Sequence, residues 1–397
     1  MKQIIVKGSN NNRIVTVVED GKLIEKYEEN EKIERLEGNI YLGKVTDILP
    51  GMQAAFVDIG DEKNAFLHIK DILPKKSNKT GNKNEDINEY NIKDYVKVGM
   101  PVIVEVKKDK TEKKGAKVST NLNIAGKYIV IIPNCNFITY SQKIEDEFQI
   151  ERLTEIVRKL NIQDYGIILR TSAVNAKEDE IKTDIESLIN TYENIIKKVD
   201  NLKSKKDFNP TKLYEKGDII KRLILDLGNQ DLKKIIVNEE IIYNYVLKYI
   251  NDIGMNIEIE FVKEDNIFEK YNIEHQLDKI SNRKVWLKCG GFITIDRTEA
   301  LTAIDVNTGK FVGKESIEQT VLKVNSEATV EIAKQLRLRD IGGIIIIDYI
   351  DMDKSEDEKI IYDLLIKCLK NDRAKTQVVG FTKLHLLEMT RRHICSE

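Results

Sequence analysis

The chain has 397 residues, of which 41% are hydrophobic and 33% are charged. This length favours two to four domains over a single core, and the composition is ordinary for a globular protein. The net charge of -2 excludes a basic polyelectrolyte, so any nucleic-acid surface must be a local cluster of basic side chains.

The sequence carries no targeting or membrane signal. It begins directly with an alternating strand pattern, and no window is apolar enough to span a membrane. The cysteines are scattered without any two-residue spacing, which indicates reduced thiols and excludes a disulfide framework or a zinc knuckle. They are Cys135, Cys289, Cys368 and Cys395. We therefore expect a cytoplasmic protein.

The first predicted elements are short strands. Residues 2–36 predict a small antiparallel ribbon, which must pack on a later part of the chain because it cannot bury a core alone. From Gly38 to Thr120, short strands separated by turn residues are typical of a five-stranded barrel of the OB type. A polar segment over 75–94 predicts a mobile loop within it. The predicted barrel strands are Ile40–Ile48, Ala54–Ile59, Ala65–Ile69 and Val102–Lys107.

Two aromatic residues of the barrel, Phe56 and Phe66, fall where such barrels stack on nucleobases. Nearby lysines would supply phosphate contacts. They are Lys107, Lys108, Lys110, Lys113, Lys114 and Lys117. The alternative is that both phenylalanines belong to the core and that the lysines only solvate a strand edge. The combination in one barrel favours RNA.

Residues 121–209 mix strands and helices. Strands are predicted at 128–133 and 166–170, and helices at Glu151–Leu160 and Ile181–Val199. The run Arg170-Thr171-Ser172 ends the second strand with a guanidinium and two hydroxyls. These groups suit a terminal phosphate, since arginine offers a bidentate fork. The alternative is a surface ion pair and a helix cap.

Residues 217–280 are again a mixture of predicted strands and a helix. Strands are predicted at Ile219–Leu225, Lys234–Val237 and Ile257–Phe261, and a helix at Glu239–Ile250. These strands are expected to join the N-terminal ribbon in one sheet. The barrel and the mixed region would then be insertions in a discontinuous first domain.

The central stretch, Cys289–Met352, contains apolar runs of which three end at an aspartate, an unusual end for a buried strand. Between the last two runs we predict an amphipathic helix, which ends at a Gly-Gly pair after Asp340. A strand, crossover helix and strand can bring two strand ends side by side. Asp305 and Asp348 are therefore expected to be neighbours.

Two carboxylates at strand ends, with Asn307 close to one of them, make an oxygen-rich site that suits Mg²⁺. A cation there supports phosphodiester hydrolysis, because it polarises a phosphoryl oxygen and lowers the pKa of bound water. A single aspartate at a strand end is better explained as a turn cap or a solvated residue. For the set of three, the functional interpretation is favoured.

The last predicted elements follow this stretch. A helix is predicted over Asp353–Leu369, a strand over Gln377–Phe381, and the start of a basic helix over Leu386–His393. No internal repeat is present in the sequence.

Taken together, these stretches resemble the ribonuclease E/G family, the single-strand endoribonucleases of bacterial RNA processing, over nearly the whole chain. The matching motifs are GNIYLGKV at 38–45, QAAFVDIG at 53–60, TEALTAIDVN at 298–307, RLRDIGGI at 337–344 and IDYIDM at 347–352. Because we expect no long scaffold tail, the chain is more similar to the short, G-type members of the family.

The resemblance implies an α+β multidomain fold. It predicts an RNase H-like domain at 1–37 and 215–280, interrupted by an S1-like OB barrel at 38–120 and a 5′-sensor domain at 121–214. A DNase I-like α/β catalytic domain would follow at 281–397.

The resemblance also implies roles for individual residues. Asp305 and Asp348 match the family's magnesium-binding aspartates, with one Mg²⁺ per active site, and Asn307 matches their polar partner. The matches to RNA-gripping residues are Phe56, Phe66 and Lys114 in the barrel and Lys383 as a basic substrate contact. The matches to the pocket that reads a 5′-monophosphate are Gly126, Val130, Arg170 and Thr171.

The implied function is magnesium-dependent cleavage of single-stranded RNA in rRNA processing and mRNA turnover, leaving a 5′-phosphate. A preference for 5′-monophosphorylated substrates is implied as well, with rRNA precursors and mRNA as partners. A non-catalytic RNA-binding or ribosome-associated protein is the main alternative. A DNA-cleaving enzyme is a more distant one.

Two departures from the family pattern affect these expectations. Relatives carry an arginine pair where this chain has Gln142-Lys143, which predicts a weaker grip on RNA in the sensor region. Relatives also continue to a Cys-Pro-x-Cys zinc link between protomers, whereas this sequence has only Cys395 there. The zinc link and the tetramer are therefore doubtful, and a homodimer stays open.

Overall fold

The computed structural model describes residues 1–9, 12–30, 35–72, 90–203, 208–228, 232–264, 266–309 and 317–395. Most of the loop predicted over 75–94 lies outside these residues. None of the helices in the described ranges has the length and hydrophobicity that crossing a membrane requires. The chain folds as two compact units, one formed by Met1–Ile33 with Ile219–Glu397, the other by Glu34–Asp218.

The strands, in chain order, are β1 Lys2–Ser9, β2 Asn12–Glu19, β3 Lys22–Asn30, β4 Ile40–Leu49, β5 Ala54–Asp58, β6 Ala65–His68, β7 Pro101–Lys108, β8 Lys117–Ser119, β9 Ile124–Ala125, β10 Ile129–Pro133, β11 Ile138–Tyr140, β12 Tyr165–Leu169, β13 Thr211–Tyr214, β14 Leu232–Val237, β15 Glu258–Phe261, β16 Lys284–Trp286, β17 Phe292–Arg297, β18 Leu301–Asn307, β19 Gly343–Asp348, β20 Thr376–Phe381 and β21 Leu386–Arg391.

The α-helices are α1 Ile92–Tyr95, α2 Glu147–Lys159, α3 Glu178–Lys203, α4 Ile219–Leu227, α5 Glu240–Asp252, α6 Ile267–Lys270, α7 Glu274–Asp278, α8 Ile317–Leu338 and α9 Ser355–Leu369. Short 3-10 helices lie at Pro50–Met52, Ile69–Asp71, Thr171–Asn175 and Lys279–Ser281.

The unit Glu34–Asp218 contains a closed five-stranded barrel, which confirms the barrel prediction. Its strands follow the order β4-β5-β6-β8-β7, and β7 pairs back to β4. The fifth strand, β8, has only three residues, so no local pattern could predict it. Helix α1 occupies the end of the predicted loop, and its fully buried Ile92 joins the barrel core, which corrects the loop's predicted end.

The same unit holds a second sheet, in the order β11-β12-β10-β9. Helices α2 and α3 cover it. The buried residues of α3 recur at helical spacing and form one stripe against the sheet. They are Ile181, Ile185, Leu188, Ile195 and Val199. Strand β13, the last part of the predicted sensor segment, pairs with β4 of the barrel.

The other unit begins with a five-stranded sheet in the order β15-β14-β1-β2-β3. The predicted strands at 234–237 and 257–261 therefore join the N-terminal ribbon, as expected. The strand predicted at Ile219–Leu225 is wrong, because this segment is helix α4. Its buried residues follow a helical period, which places them on one face of a helix. They are Ile219, Ile220, Leu223, Ile224 and Leu227.

The second sheet of this unit has the order β16-β17-β18-β19-β21-β20. Helices α8 and α9 pack on one of its faces, and α8 also contacts β3. The basic helix predicted at Leu386–His393 is wrong, because residues 386–391 form strand β21 between β19 and β20. Leu387, Met389 and Arg391 are buried while the residues between them are not, which is the period of a strand.

Candidate active site

The aspartates at the ends of β18 and β19 lie next to each other. The two strands run parallel, so their carboxyl ends meet at the same edge of the sheet, and Asp305 is the register partner of Asp348. Both side chains are exposed and point away from the face that α8 and α9 cover. The structure thus brings together two carboxylates that are distant in sequence.

This pair of carboxylates fits a bound cation. Partial desolvation and the negative charges of Asp305 and Asp351 raise the pKa of Asp348 above its ordinary value. A cation between Asp305 and Asp348 would relieve that repulsion. No group of three or more His, Cys, Asp or Glu side chains in the described ranges is placed to hold a metal ion. Two carboxylates nevertheless suffice for Mg²⁺, which keeps several waters and takes further oxygens from a phosphate substrate.

Asn307 acts directly on one of the two carboxylates. Its Nδ2 donates a hydrogen bond of 2.5 Å to Oδ2 of Asp305, since both residues lie on the same face of β18. The neighbouring strand β17 supports this arrangement, because Phe292 pairs with Asn307 and Thr294 with Asp305. Asn307 therefore orients the carboxylate of Asp305.

Helix α8 anchors the chain that follows Asp348, a feature that the sequence analysis missed. The fully buried Asn325 donates to the carbonyl of Ile350 at 2.8 Å and accepts from its N–H at 3.1 Å. The hydroxyls of Thr329 and Tyr349 lie 2.9 Å apart. The available signal was the pair of polar residues Asn325 and Thr329, four positions apart, within the apolar stripe of α8.

Lys383 lies in the turn between β20 and β21, and its side chain is exposed. The turn is closed by a hydrogen bond of 2.8 Å from the N–H of Thr382 to the carbonyl of Leu386, and Leu386 is the register partner of Asp348. Lys383 is therefore at the same end of the sheet as the aspartates. His385 lies in the same turn, and the carboxylate of Glu358 on α9 raises its pKa. His385 is thus a second basic group that the sequence analysis missed.

Phe56 and Phe66 are register partners on β5 and β6 of the barrel. Their rings meet edge to face with centroids 6.2 Å apart. Both are half-buried and lie outside the set of residues that forms the barrel core. The interpretation of these two residues as core is therefore wrong, and their rings lie on the barrel surface.

The lysines near these rings differ in their surroundings. Of the six lysines predicted to contact phosphate, three form ion pairs with carboxylates. The pairs are Lys107 with Glu105 at 2.5 Å, Lys110 with Asp61 at 2.6 Å and Lys117 with Asp71 at 2.9 Å. These three lysines are consequently engaged with carboxylates in this structure. Lys114 is exposed in a turn whose backbone is closed by Thr111. It lies just before β8, which runs beside β6 and Phe66.

The residues of the predicted phosphate pocket lie together at one end of the second sheet of their unit. The Nη1 of Arg170 donates to the carbonyl of Gly126 at 2.5 Å, and its backbone N–H donates to Tyr128 at 2.9 Å. Val130 is half-buried on β10, beside β9. Thr171 is exposed and begins the 3-10 turn that follows β12.

A half-buried carboxylate on α3, that of Asp184, holds the loop of this predicted pocket and was missed by the sequence analysis. It accepts backbone N–H bonds from Lys127 at 3.0 Å, Tyr128 at 2.7 Å and Ile129 at 3.2 Å. Burial raises its pKa, and these donors lower it in part. A Cβ on Gly126 would lie 2.5 Å from Oδ1 of Asp184, so any larger residue there would displace this carboxylate.

The loop that carries Ser141 borders the same pocket. The hydroxyls of Ser141 and Thr171 lie 3.3 Å apart, and Gln142 and Lys143 follow directly with exposed side chains. A second serine, Ser172, donates to the carbonyl of Lys127 at 2.5 Å. Two serines thus connect the turn after β12 with the surrounding loops.

The chain matches two protein families. Residues 123–394 match the model of the ribonuclease E/G family, and residues 36–121 match that of the S1 RNA binding domain. The barrel seen in the structure therefore coincides with the S1 match. The larger match includes both aspartates and the residues of the predicted phosphate pocket.

Curated relatives agree with these matches. Ribonuclease G of Escherichia coli (strain K12) is 36% identical over 382 residues, which cover 95% of this chain and 77% of the relative. Ribonuclease G of Haemophilus influenzae is 34% identical over 393 residues, which cover 98% of this chain and 79% of the relative. Ribonuclease E of Buchnera aphidicola (subsp. Schizaphis graminum) is 36% identical over 403 residues, which cover 41% of that longer protein.

Proposed function

The chain belongs to the ribonuclease E/G family, and from this membership we propose that it is an endoribonuclease that hydrolyses single-stranded RNA with Mg²⁺ held by Asp305 and Asp348. The observation that carries the proposal is the register pairing of the two exposed aspartates at the ends of parallel strands. An S1 barrel in the same chain supports RNA as the substrate.

The proposed chemistry divides between the ion and the protein. Mg²⁺, when bound, would polarise a phosphoryl oxygen and lower the pKa of a water molecule, which supports hydrolysis to a 5′-phosphate and a 3′-hydroxyl. Asp305 and Asp348 would hold the ion, and Asn307 would keep the carboxylate of Asp305 in position. Lys383 would contact a phosphate of the RNA near the aspartates.

We extend the proposal to the domains and the biology of the family. The sheet that contains β1 and β14 would be the RNase H-like domain, and the sheet that contains β18 and β19 the DNase I-like domain. The substrates would be rRNA precursors and mRNA in the cytoplasm, and the assembly a homodimer. The proposal includes no zinc link through Cys395, because this thiol is buried with its Sγ 4.0 Å from the guanidinium of Arg222.

The residues around Arg170 support a pocket for a 5′-monophosphate. The guanidinium is held by the carbonyl of Gly126, and the exposed hydroxyl of Thr171 lies beside it in sequence, which gives donors suited to phosphate oxygens. Phe56, Phe66 and Lys114 would grip the single strand through stacking and charge.

Replacing Arg170 with alanine is expected to remove the preference for 5′-monophosphorylated RNA. Hydrogen bonds to charged groups contribute about 1.5–3 kcal/mol each, so the preference of the wild-type protein should fall by about 10- to 150-fold in kcat/KM. The measurement compares cleavage of one RNA with a 5′-monophosphate and with a 5′-hydroxyl. An equal loss on the two RNAs would mean that Arg170 is structural. Arg158→Ala is the matched control and should keep the preference, because Arg158 lies on α2 outside the predicted pocket.

The class of activity is tested with labelled single-stranded RNA and DNA of the same sequence. We expect endonucleolytic cleavage of the RNA and little cleavage of the DNA. RNA binding without cleavage would favour the non-catalytic alternative. Equal cleavage of the RNA and the DNA would favour the DNA-cleaving alternative. It would also mean that the S1 barrel does not determine specificity for RNA.

A further inference from the structure

An exposed aromatic cluster lies on the edge of the sheet that carries the aspartates. Trp286 on β16 is 62% exposed, and its ring meets that of Phe292 on β17 edge to face, with centroids 5.4 Å apart. The ammonium of Lys284 lies 4.0 Å from the Trp286 centroid and 3.4 Å from the Phe292 centroid. A core role does not explain Trp286, since most of its surface faces solvent.

The register of the strands places this cluster in line with the candidate active site. Trp286 pairs with Phe292, which pairs with Asn307. Lys284 pairs with Thr294, which pairs with Asp305. Directly paired residues point to the same face of a sheet, and neighbouring strands are about 4.8 Å apart. Trp286 therefore lies about 10 Å from Asn307 on the same face.

The chemistry of the cluster suits a nucleobase of single-stranded RNA. Bases stack on exposed aromatic rings irrespective of sequence, because each base has a π-face. The lysine that covers the rings is a weak competitor. An exposed cation–π contact changes an equilibrium about two- to fivefold, whereas stacking of a base changes binding about 5- to 150-fold. A displaced Lys284 would remain close enough to pair with the phosphate of the same nucleotide.

We propose that Lys284, Trp286 and Phe292 form a stacking subsite for one nucleotide of the RNA whose scissile phosphate lies at Asp305 and Asp348. This subsite belongs to the sheet of the candidate active site and is separate from the barrel phenylalanines. It rests on the proposed function, because it requires single-stranded RNA at the aspartates. Its consequence is that a base flanking the cut is held by the same sheet that holds the ion.

Trp286 reports on its own occupancy, because it is the only tryptophan in the sequence. The full chain is titrated in EDTA with a labelled single-stranded RNA, so that cleavage does not interfere. Anisotropy of the label follows binding, and tryptophan emission follows stacking. We expect the emission to be quenched with the same midpoint as the anisotropy. An oligomer of equal length without bases is expected to bind more weakly and to leave the emission unchanged.

Every other result of this titration overturns either the subsite alone or the subsite together with the proposed function. RNA that binds without changing the emission, or an abasic oligomer that quenches equally, overturns the subsite and leaves the proposed function intact. No binding of RNA at all overturns the proposed function and the subsite with it. Emission that depends on protein concentration and not on RNA would mean that a second copy of the chain covers Trp286, which overturns the subsite as well.

Variants test the same subsite in catalysis. Trp286→Ala should raise KM by about 5- to 150-fold with little change in kcat, because stacking holds substrate and transition state alike. Trp286→Tyr keeps an aromatic ring and should restore KM towards the wild-type value. Val379→Ala is a matched control, since Val379 is 63% exposed on β20, the opposite edge strand of the sheet. A KM of Trp286→Ala equal to that of the control contradicts the subsite.

Discussion

Asp348→Asn and Asp305→Asn are each expected to abolish RNA cleavage while RNA binding survives. An asparagine keeps the shape of the side chain but removes the negative charge that a divalent ion requires. Stabilisation of charge by a metal ion contributes several kcal/mol, so the cleavage rate should fall by at least about 10³-fold. The measurement is single-turnover cleavage of a labelled single-stranded RNA, combined with a binding isotherm for the same RNA in EDTA.

A control for this prediction is available on the same sheet. Asp296 on β17 forms an exposed ion pair with Arg283 at 2.5 Å, on a strand next to that of Asp305. Asp296→Asn should leave cleavage within a few-fold of wild type, since exposed ion pairs contribute only about 0–1 kcal/mol. Wild-type cleavage by either Asp305→Asn or Asp348→Asn would contradict the metal assignment. Lost RNA binding in both would mean that the aspartates hold the fold.

Asp372→Ala is expected to destabilise the unit that carries the aspartates by about 3–5 kcal/mol, the cost of removing one carboxylate from a buried ion-pair network. The side chain of Arg391 on β21 is fully buried, and its Nε donates to Asp372 at 2.7 Å. Its Nη1 donates to Asp340 at 2.8 Å and to the carbonyl of Ile341 at 2.9 Å. Burial alone would lower the pKa of Arg391, but these carboxylates keep it above its usual value.

The loss is measured by urea denaturation, through the shift of the midpoint at constant slope. Asp296→Ala is the matched control, because it also removes an aspartate from a bidentate contact with an arginine, but at an exposed position. The control should lose no more than about 1 kcal/mol. If Asp372→Ala also loses no more than about 1 kcal/mol of stability, water or another group compensates the charge of Arg391. That result would also remove this network as the reason that β21 lies beside β19.

The pairing of Asp305 and Asp348 was predictable from sequence because each step of the inference is local or general. Short apolar runs that end at polar residues predict strands, and a helical period between them predicts a crossover. A crossover connection makes the two strands parallel, so their carboxyl ends lie at the same edge. The structure adds the register, which makes the two residues direct partners and not only neighbours.

The errors share a cause, which is that long-range contacts override local patterns. Leu386–Arg391 has few β-branched residues and a basic end, so local propensity gave no reason for a strand. Pairing with β19 on one side and β20 on the other determines its conformation. The strand predicted at Ile219–Leu225 is part of helix α4, because its buried apolar residues follow a helical period.

Residues that act through others were missed for a related reason. Asp184 lies among the apolar residues of α3, and only the folded chain brings its carboxylate to the backbone N–H groups of the pocket loop. Similarly, Trp286 is unremarkable in sequence, because its significance depends on pairing with Phe292 and alignment with Asn307. Motifs can indicate which residues contact a substrate, but the residues that hold them in position emerge from packing.

The central claim is that cleavage depends on a divalent ion held by Asp305 and Asp348. The most direct measurement is the rate of cleavage of a labelled single-stranded RNA by the wild-type chain as a function of free Mg²⁺, starting in EDTA. We predict no cleavage in EDTA, full recovery on addition of Mg²⁺, and no recovery in Asp348→Asn over the same range. Cleavage at an undiminished rate in EDTA, with RNA bound and the protein folded, would contradict the claim.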